Sequence, residues 1–132
     1  MGWLTMAGNA VRESSAVRWA DVATGGSVGT IIGTGLFDFG DVDGTGDTVR
    51  MQHQQGVAIH PSGQLIVADS YNDALKLVRV DTREARVWVR GFHEPAGVAA
   101  GEHHAYVADT NAHRIMVVEY DTRATSELEI VS

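Results

Sequence analysis

Two stretches of this chain are copies of one another. Residues 67–83 read VADSYNDALKLVRVDTR and residues 107–123 read VADTNAHRIMVVEYDTR, and they align without a gap at an offset of forty. Val67, Ala68, Asp69, Asp81, Thr82 and Arg83 recur as Val107, Ala108, Asp109, Asp121, Thr122 and Arg123. Ser70 is matched by Thr110 and Leu75 by Ile115. Upstream, Gly56-Val57-Ala58 recurs as Gly97-Val98-Ala99, one residue further apart, which puts a one-residue length change in a loop. A period of about forty residues suits either a four-stranded propeller blade or a pair of helices.

Local patterning separates the two. Gly56 to Ile59 is short and apolar, and His60-Pro61-Ser62-Gly63 is turn chemistry. Leu65 to Ala68 is a second apolar run, ended by Asp69-Ser70 and the turn residues Tyr71-Asn72-Asp73. Leu75 to Val80 is β-branched and apolar in part. After Asp81-Thr82-Arg83, Arg86 to Val89 alternates polar with apolar. Each run is too short for a helix, and each is bounded by turn residues, so the unit reads as four strands. The second copy repeats the scheme at Gly97–Ala100, Ala105–Ala108, Arg114–Tyr120 and Ser126–Ile130. Before residue 50, Trp3–Ala7, Ala16–Asp21 and Val28–Ile32 read as strands of a further unit, with Val28–Ile32 outermost. No Gly-Val-Ala segment precedes them, so this unit looks incomplete. The expectation is an all-β chain of about three propeller blades, each of four antiparallel strands. They form one partial propeller over residues 1–132, with blade-like units at about 3–32, 55–90 and 96–130.

Composition agrees and narrows the function classes. Hydrophobic residues make up 44% of the chain and charged residues 20%, enough apolar material for a core. Glycine is frequent at 15 residues and proline scarce at two, as in short strands joined by glycine turns. The net charge is −7, and the ten Lys and Arg residues are scattered. Binding to phosphate backbones needs such residues clustered, so nucleic acid is not an expected partner. There is no cysteine, hence no disulfide, thiolate metal site or thiol chemistry. No signal-peptide pattern and no bilayer-length apolar run is present, so no membrane partner is expected and a cytoplasmic location is.

The residues just quoted resemble the NHL repeat family: a Gly-Val-Ala strand, then Val-Ala-Asp-Ser/Thr, a turn with Asn or His, and an apolar strand. Val107–Ile115, VADTNAHRI, carries the pattern most fully. Residues 33–58, GTGLFDFGDVDGTGDTVRMQHQQGVA, look like the inter-blade segment of bacterial thioredoxin-like proteins that carry a C-terminal NHL propeller. The resemblance covers roughly residues 11–130 and implies a propeller fold. The thioredoxin-like domain and its cysteines are absent here, so redox chemistry is not carried over. Gln55 stands where the family pattern has a proline leading into the innermost strand, a proline that Pro95 keeps in the next unit.

Three blades pose a physical problem, since a full ring takes about 4–8. A blade buries both sheet faces on its neighbours, so an arc leaves two end faces exposed, larger than soluble monomers usually tolerate. A homodimer, two such arcs related by a twofold axis, would close a six-bladed ring, the number common in the resembling family. The chain itself is therefore the first expected partner, as a homodimer or another homo-oligomer.

Candidate chemistry is thin. Asp41, Asp43 and Asp47 alternate along a glycine turn, like the start of a calcium loop. Counted from Asp41, the twelfth position, where such a loop needs a glutamate, is Gln52. The other reading is an acidic turn joining two blades, which the resemblance also implies. A divalent metal such as calcium is the only cofactor these residues suggest. His53 and His93 lie three and four residues before Gly56 and Gly97 and would face the channel mouth on adjacent blades, as weak ligand candidates with no third ligand visible. His113 occupies the repeat's turn, and His103-His104 reads as an exposed hairpin turn. Asp69 and Asp109 recur one period apart, as structural acceptors of local backbone N–H groups do. Trp3, Trp19 and Trp88 are too dispersed for a stacking platform and are expected to pack between blades. No nucleophile elbow, P-loop or dinucleotide fingerprint occurs.

The favoured function is a non-catalytic binding scaffold that holds a protein partner or a small polar ligand on its loops or at the channel mouth. The alternatives are a metal-dependent lyase or hydrolase sited at the channel, or a structural fragment without independent function.

Overall fold

A computed structural model describes residues 3–6, 16–20, 28–33 and 40–129. Twelve strands run in order: β1 (Trp3–Met6), β2 (Val17–Ala20), β3 (Val28–Ile32), β4 (Gly44–Thr45), β5 (Gln54–Ile59), β6 (Leu65–Asp69), β7 (Ala74–Arg79), β8 (Glu84–Arg90), β9 (Pro95–Ala100), β10 (His104–Asp109), β11 (Arg114–Glu119) and β12 (Thr125–Glu127). They form three antiparallel sheets: β1-β2-β3, β4-β8-β7-β6-β5, and β12-β11-β10-β9. Apart from β4, which joins the outer edge of the second sheet, each sheet is a meander of strands adjacent in sequence, as in a propeller blade. Ala7, Asp21 and Ile130, expected at strand ends, and residues 34–39 of the connector lie outside the described residues.

The repeat is visible as matched register. Val67 pairs with Lys76 as Val107 pairs with Met116, and Asp69 pairs with Ala74 as Asp109 pairs with Arg114. The turns match as well. A 3-10 turn at Ser70–Asn72 ends at Asp73 with φ 54°, and its copy at Thr110–Ala112 ends at His113 with φ 54°. Left-handed residues also recur at His53 and Glu94 and at Arg83 and Arg123.

Strand β4 was not anticipated. It adds Gly44 and Thr45 to the outer edge of β8, opposite Ala85 and Glu84. The acidic connector is thereby sewn onto the second sheet.

The second sheet is buried on both faces because its strands carry apolar residues at odd and even positions alike. Leu65, Val67, Val78 and Ala85 pack against Val17, Ile31, Ile32, Val49 and Met51, from the first sheet and the connector. Ile66, Ala68, Leu75, Leu77 and Trp88 pack against Ala105, Val107, Met116 and Val118 of the third sheet. Fully burying one such aliphatic side chain contributes about 1.5–3 kcal/mol. Trp88 packs between blades as expected, whereas the Trp3 and Trp19 side chains are outside the described residues. At one end of this seam His60 and Tyr120 rings meet edge to face at 4.8 Å, both against Trp88. The Tyr120 hydroxyl donates to Gly101 O at 2.7 Å.

Near the axis the inner strands approach closely. A Cβ on Gly56 would fall 3.0 Å from Val98 N, and closer still to Ala96 O. Only glycine fits where β9 crosses β5.

Candidate functional site

The centre of the structure's chemistry is a lysine that sequence reading did not single out. Lys76 lies mid-strand in β7, where the repeat copy has Met116, and is 1% exposed. Its ammonium donates to Asp41 Oδ1 at 2.5 Å and Asp43 Oδ1 at 3.2 Å, and stands 3.7 Å from Asp69 Oδ2. An unpaired buried ammonium would be severely penalised, so this cage is the condition for a lysine in that strand.

Each carboxylate has a second anchor. Asp41 Oδ2 takes Arg90 Nη1 at 2.9 Å. Asp43 Oδ2 accepts from Val87 N at 3.0 Å. Asp69, fully buried, accepts from Gln52 N at 2.7 Å and Asn72 Nδ2 at 2.8 Å. Asn72 Nδ2 also donates to Gly40 O at 2.6 Å, which fastens the connector. Burial pushes the Asp69 carboxyl up to about 6, against the pull of Asn72, Gln52 and Lys76. Burial pushes Asp41 the same way, but Arg90 and Lys76 outweigh it and hold that carboxyl below the usual range.

Of the three aspartates offered as calcium ligands, Asp41 and Asp43 therefore converge, with an ammonium between them. Asp47 diverges to Arg83 Nη2 at 3.2 Å, and the Arg83 Nε donates to Ile31 O at 2.8 Å. Among the described residues, no group of three or more His, Asp or Glu side chains is placed to hold a metal ion.

The third blade builds the same acceptor with a different cation. Asp109 accepts from His93 N at 2.5 Å and from Arg114 Nε at 3.0 Å. Met116 has replaced the lysine, and Arg114 replaces Ala74. Asp69 and Asp109 are backbone acceptors as expected, but their donors lie 17 and 16 residues upstream rather than in the adjoining turn. Each carboxylate ties the segment before the inner strand to the end of the next strand.

The histidines are not equivalent positions. Gln54 pairs with Asp69 as Pro95 pairs with Asp109, so the register equates Gln52 with His93 and His53 with Glu94. The offset is a constant 41 across this segment, so the two histidines simply fall one position apart in the repeat. His53 has φ 56° and stacks on Tyr71 at 4.5 Å. His93 is exposed, with Nδ1 3.7 Å from Asp109 Oδ2. By the same register it is Gln54, not Gln55, that takes the place of the proline. The Gln54 side-chain amide is buried without a hydrogen-bond partner.

Together the loops before the inner strands and the 3-10 turns make one face. Tyr71 N donates to Gln52 O, Asn111 N to His93 O, and Phe92 N to Asp73 O. Glu94 N donates to Asp73 Oδ1 at 2.8 Å, and the Asn111 side chain to Glu94. The Ser70 hydroxyl crosses the seam to Pro95 O. Tyr71, Asp73, His93, Asn111 and His113 stand exposed on this frame. No helix among the described residues is long and apolar enough to cross a membrane.

No family model matches the chain. NHL repeat-containing protein 2 of Homo sapiens is 36% identical over 141 residues, covering 89% of this chain and 19% of the relative. Protein SUPPRESSOR OF QUENCHING 1, chloroplastic, of Arabidopsis thaliana is 35% identical over 138 residues, covering 88% of this chain and 13% of the relative. The chain thus spans a fifth or less of these relatives' length. Among solved structures, an auxiliary nutrient binding protein from Bacteroides thetaiotaomicron superposes with TM-score 0.69 at 14% identity, over 90% of this chain and 34% of that one. Virginiamycin B lyase from Staphylococcus aureus superposes with TM-score 0.57 at 10% identity, over 98% of this chain and 41% of that one. At such identities the likeness is one of fold.

Proposed function

We propose, because this chain belongs to the NHL-repeat β-propeller proteins, that it is a non-catalytic scaffold of the cytoplasm whose loop face holds a protein partner or a small polar ligand. One observation carries this reading. The buried acids are committed to holding the frame, Asp69 and Asp109 each through a backbone amide and a cation, while Tyr71, His93, Asn111 and His113 project from the same loops into solvent. A fixed frame with variable polar side chains is suited to recognition. The competing reading, a metal-dependent lyase or hydrolase, needs ligands that converge. Here the paired carboxylates Asp41 and Asp43 are neutralised by Lys76, and His53 and His93 occupy different repeat positions.

The test is an amide NMR titration with Zn²⁺, Ca²⁺ and a panel of sugars, amino acids and nucleotides. A binder is expected to shift the resonances of residues 52–54, 71–73, 92–94 and 111–113 with a polar ligand and no metal. Micromolar Zn²⁺ binding that shifts His53 and His93 together would overturn the scaffold reading in favour of the enzyme.

A further inference from the structure

The third sheet is buried on one face only. In β6 every residue is buried, whereas in its copy β10 burial alternates. The exposed positions are copies of positions covered one blade earlier. Ile66 and Leu75 are 0% exposed, and their counterparts Tyr106 and Ile115 are each 38% exposed. Trp88 is buried, and its counterpart Leu128 is 40% exposed. Ala68 is buried and Ala108 exposed. The sequence thus maintains on the third blade the apolar face that the second blade uses to receive a neighbour.

The backbone repeats the message independently. Gly56 is glycine because β9 lies against it. Gly97 is the same position of the next repeat, yet a Cβ there would meet nothing nearer than the Ala108 Cβ at 3.7 Å, an ordinary contact. Nothing in the described residues requires glycine at 97. A strand lying on β9 as β9 lies on β5 would require it. The hydrogen-bonding groups at the rim tell the same story. The Ser70 hydroxyl reaches across the seam to Pro95 O, while its counterpart on Thr110 turns back on Ala108 O at 3.4 Å.

We propose that this face, centred on Gly97, Tyr106 and Ile115, is the seat of a second copy of the chain, which docks its β1–β3 sheet there and brings a strand alongside β9. The proposal rests on the propeller reading above. It continues the interface already formed between the second and third sheets. It also commits to a second copy because β1–β3 is the other sheet flanked on one side alone among the described residues. A twofold pair then satisfies both ends with one interface used twice, so the arc closes rather than polymerises.

The experiment compares wild type, Gly97→Ala and Ile115→Asp by light scattering on a sizing column at tens of micromolar, with circular dichroism on each. In a single chain the added Cβ at 97 makes only an ordinary contact with the Ala108 Cβ at 3.7 Å, and position 115 is solvent-facing, so both variants are expected to keep the strand spectrum. Wild type is expected at the mass of two chains and both variants at the mass of one. A wild-type mass of one chain overturns the proposal. So does a dimer that survives Gly97→Ala but is split by Ile115→Asp, which would mean that third sheets meet face to face. A dimer untouched by either change places the interface elsewhere and also overturns it. The strand spectrum reports separately on the fold, and the NMR titration on the scaffold reading, so a failure of docking is distinguishable from a failure of either.

Discussion

Replacing Lys76 by the methionine of its repeat copy tests whether the cage is a charge device or merely a packing feature. In Lys76→Met, Asp41 keeps Arg90 and Asp43, 44% exposed, falls back on water and the Val87 amide, so the buried carboxylate left without its cation is Asp69. Breaking a buried ion pair from one side costs about 3–5 kcal/mol when the remaining charge cannot escape. Asp69 can escape by taking a proton, because its carboxyl already titrates at about 6. At pH 7.5 that proton costs about 2 kcal/mol, from a gap of about 1.5 pH units at about 1.4 kcal/mol each. Proton uptake therefore caps the Asp69 share at about 2 kcal/mol, and loss of the Asp41 and Asp43 contacts, offset by the apolar methionine, brings the expected total to about 2–3 kcal/mol. At pH 5 Asp69 is largely protonated in wild type, so its share vanishes and the cost falls by about 2 kcal/mol. Urea unfolding of both proteins at pH 7.5 and 5.0, at one protein concentration, reads the four stabilities directly. The same destabilisation at both pH values would refute the reasoning, as would a variant more stable than wild type at pH 7.5.

Two further outcomes follow from the geometry. Gly56→Ala should destabilise by about 2–3 kcal/mol in chemical unfolding, since β9 must retreat from the new Cβ, whereas glycine to alanine in an unobstructed strand normally gains about 0.5–1 kcal/mol; an unchanged or raised unfolding midpoint would show that the inner strands are not this close. Asp69 should titrate near 6 in a carbon-detected carboxyl NMR experiment; because its folded value is raised, its contribution to stability is fullest below about 4 and is lost as pH rises towards 6, and a midpoint below 4 would contradict its burial.

Much of the fold could be read in the chain because a blade is a local object. Its strands are neighbours in sequence, so the alternation and turn chemistry of residues 54–90 and 95–127 suffice to place them. Strand β4 escaped because two residues, Gly44 and Thr45, carry no periodicity, and they pair with β8 some forty residues away. Lys76 escaped for a related reason. Its partners Asp41 and Asp43 lie in the connector, 35 and 33 residues upstream, and no local pattern links them. The one signal was a lysine in an apolar strand where the copy has methionine. His53 and His93 stand three and four residues before their glycines, and the strand register turns that difference of one into different repeat positions, Glu94 being the copy of His53.

The left-handed turns have a consequence for how such a surface changes over time. Asp73 and His113 share a φ of 54°, and His53 and Glu94 differ by only a few degrees, yet each pair differs in charge. A non-glycine residue held there is strained, by a cost of order 1 kcal/mol or more, and neighbouring backbone bonds rather than side-chain identity keep it in place. The turn keeps its φ with either an acid or an imidazole, although the Asp73 carboxylate also accepts from Glu94 N. A lineage can swap acid for imidazole at the rim, blade by blade, while the frame beneath stays fixed, so recognition is free to diverge faster than architecture.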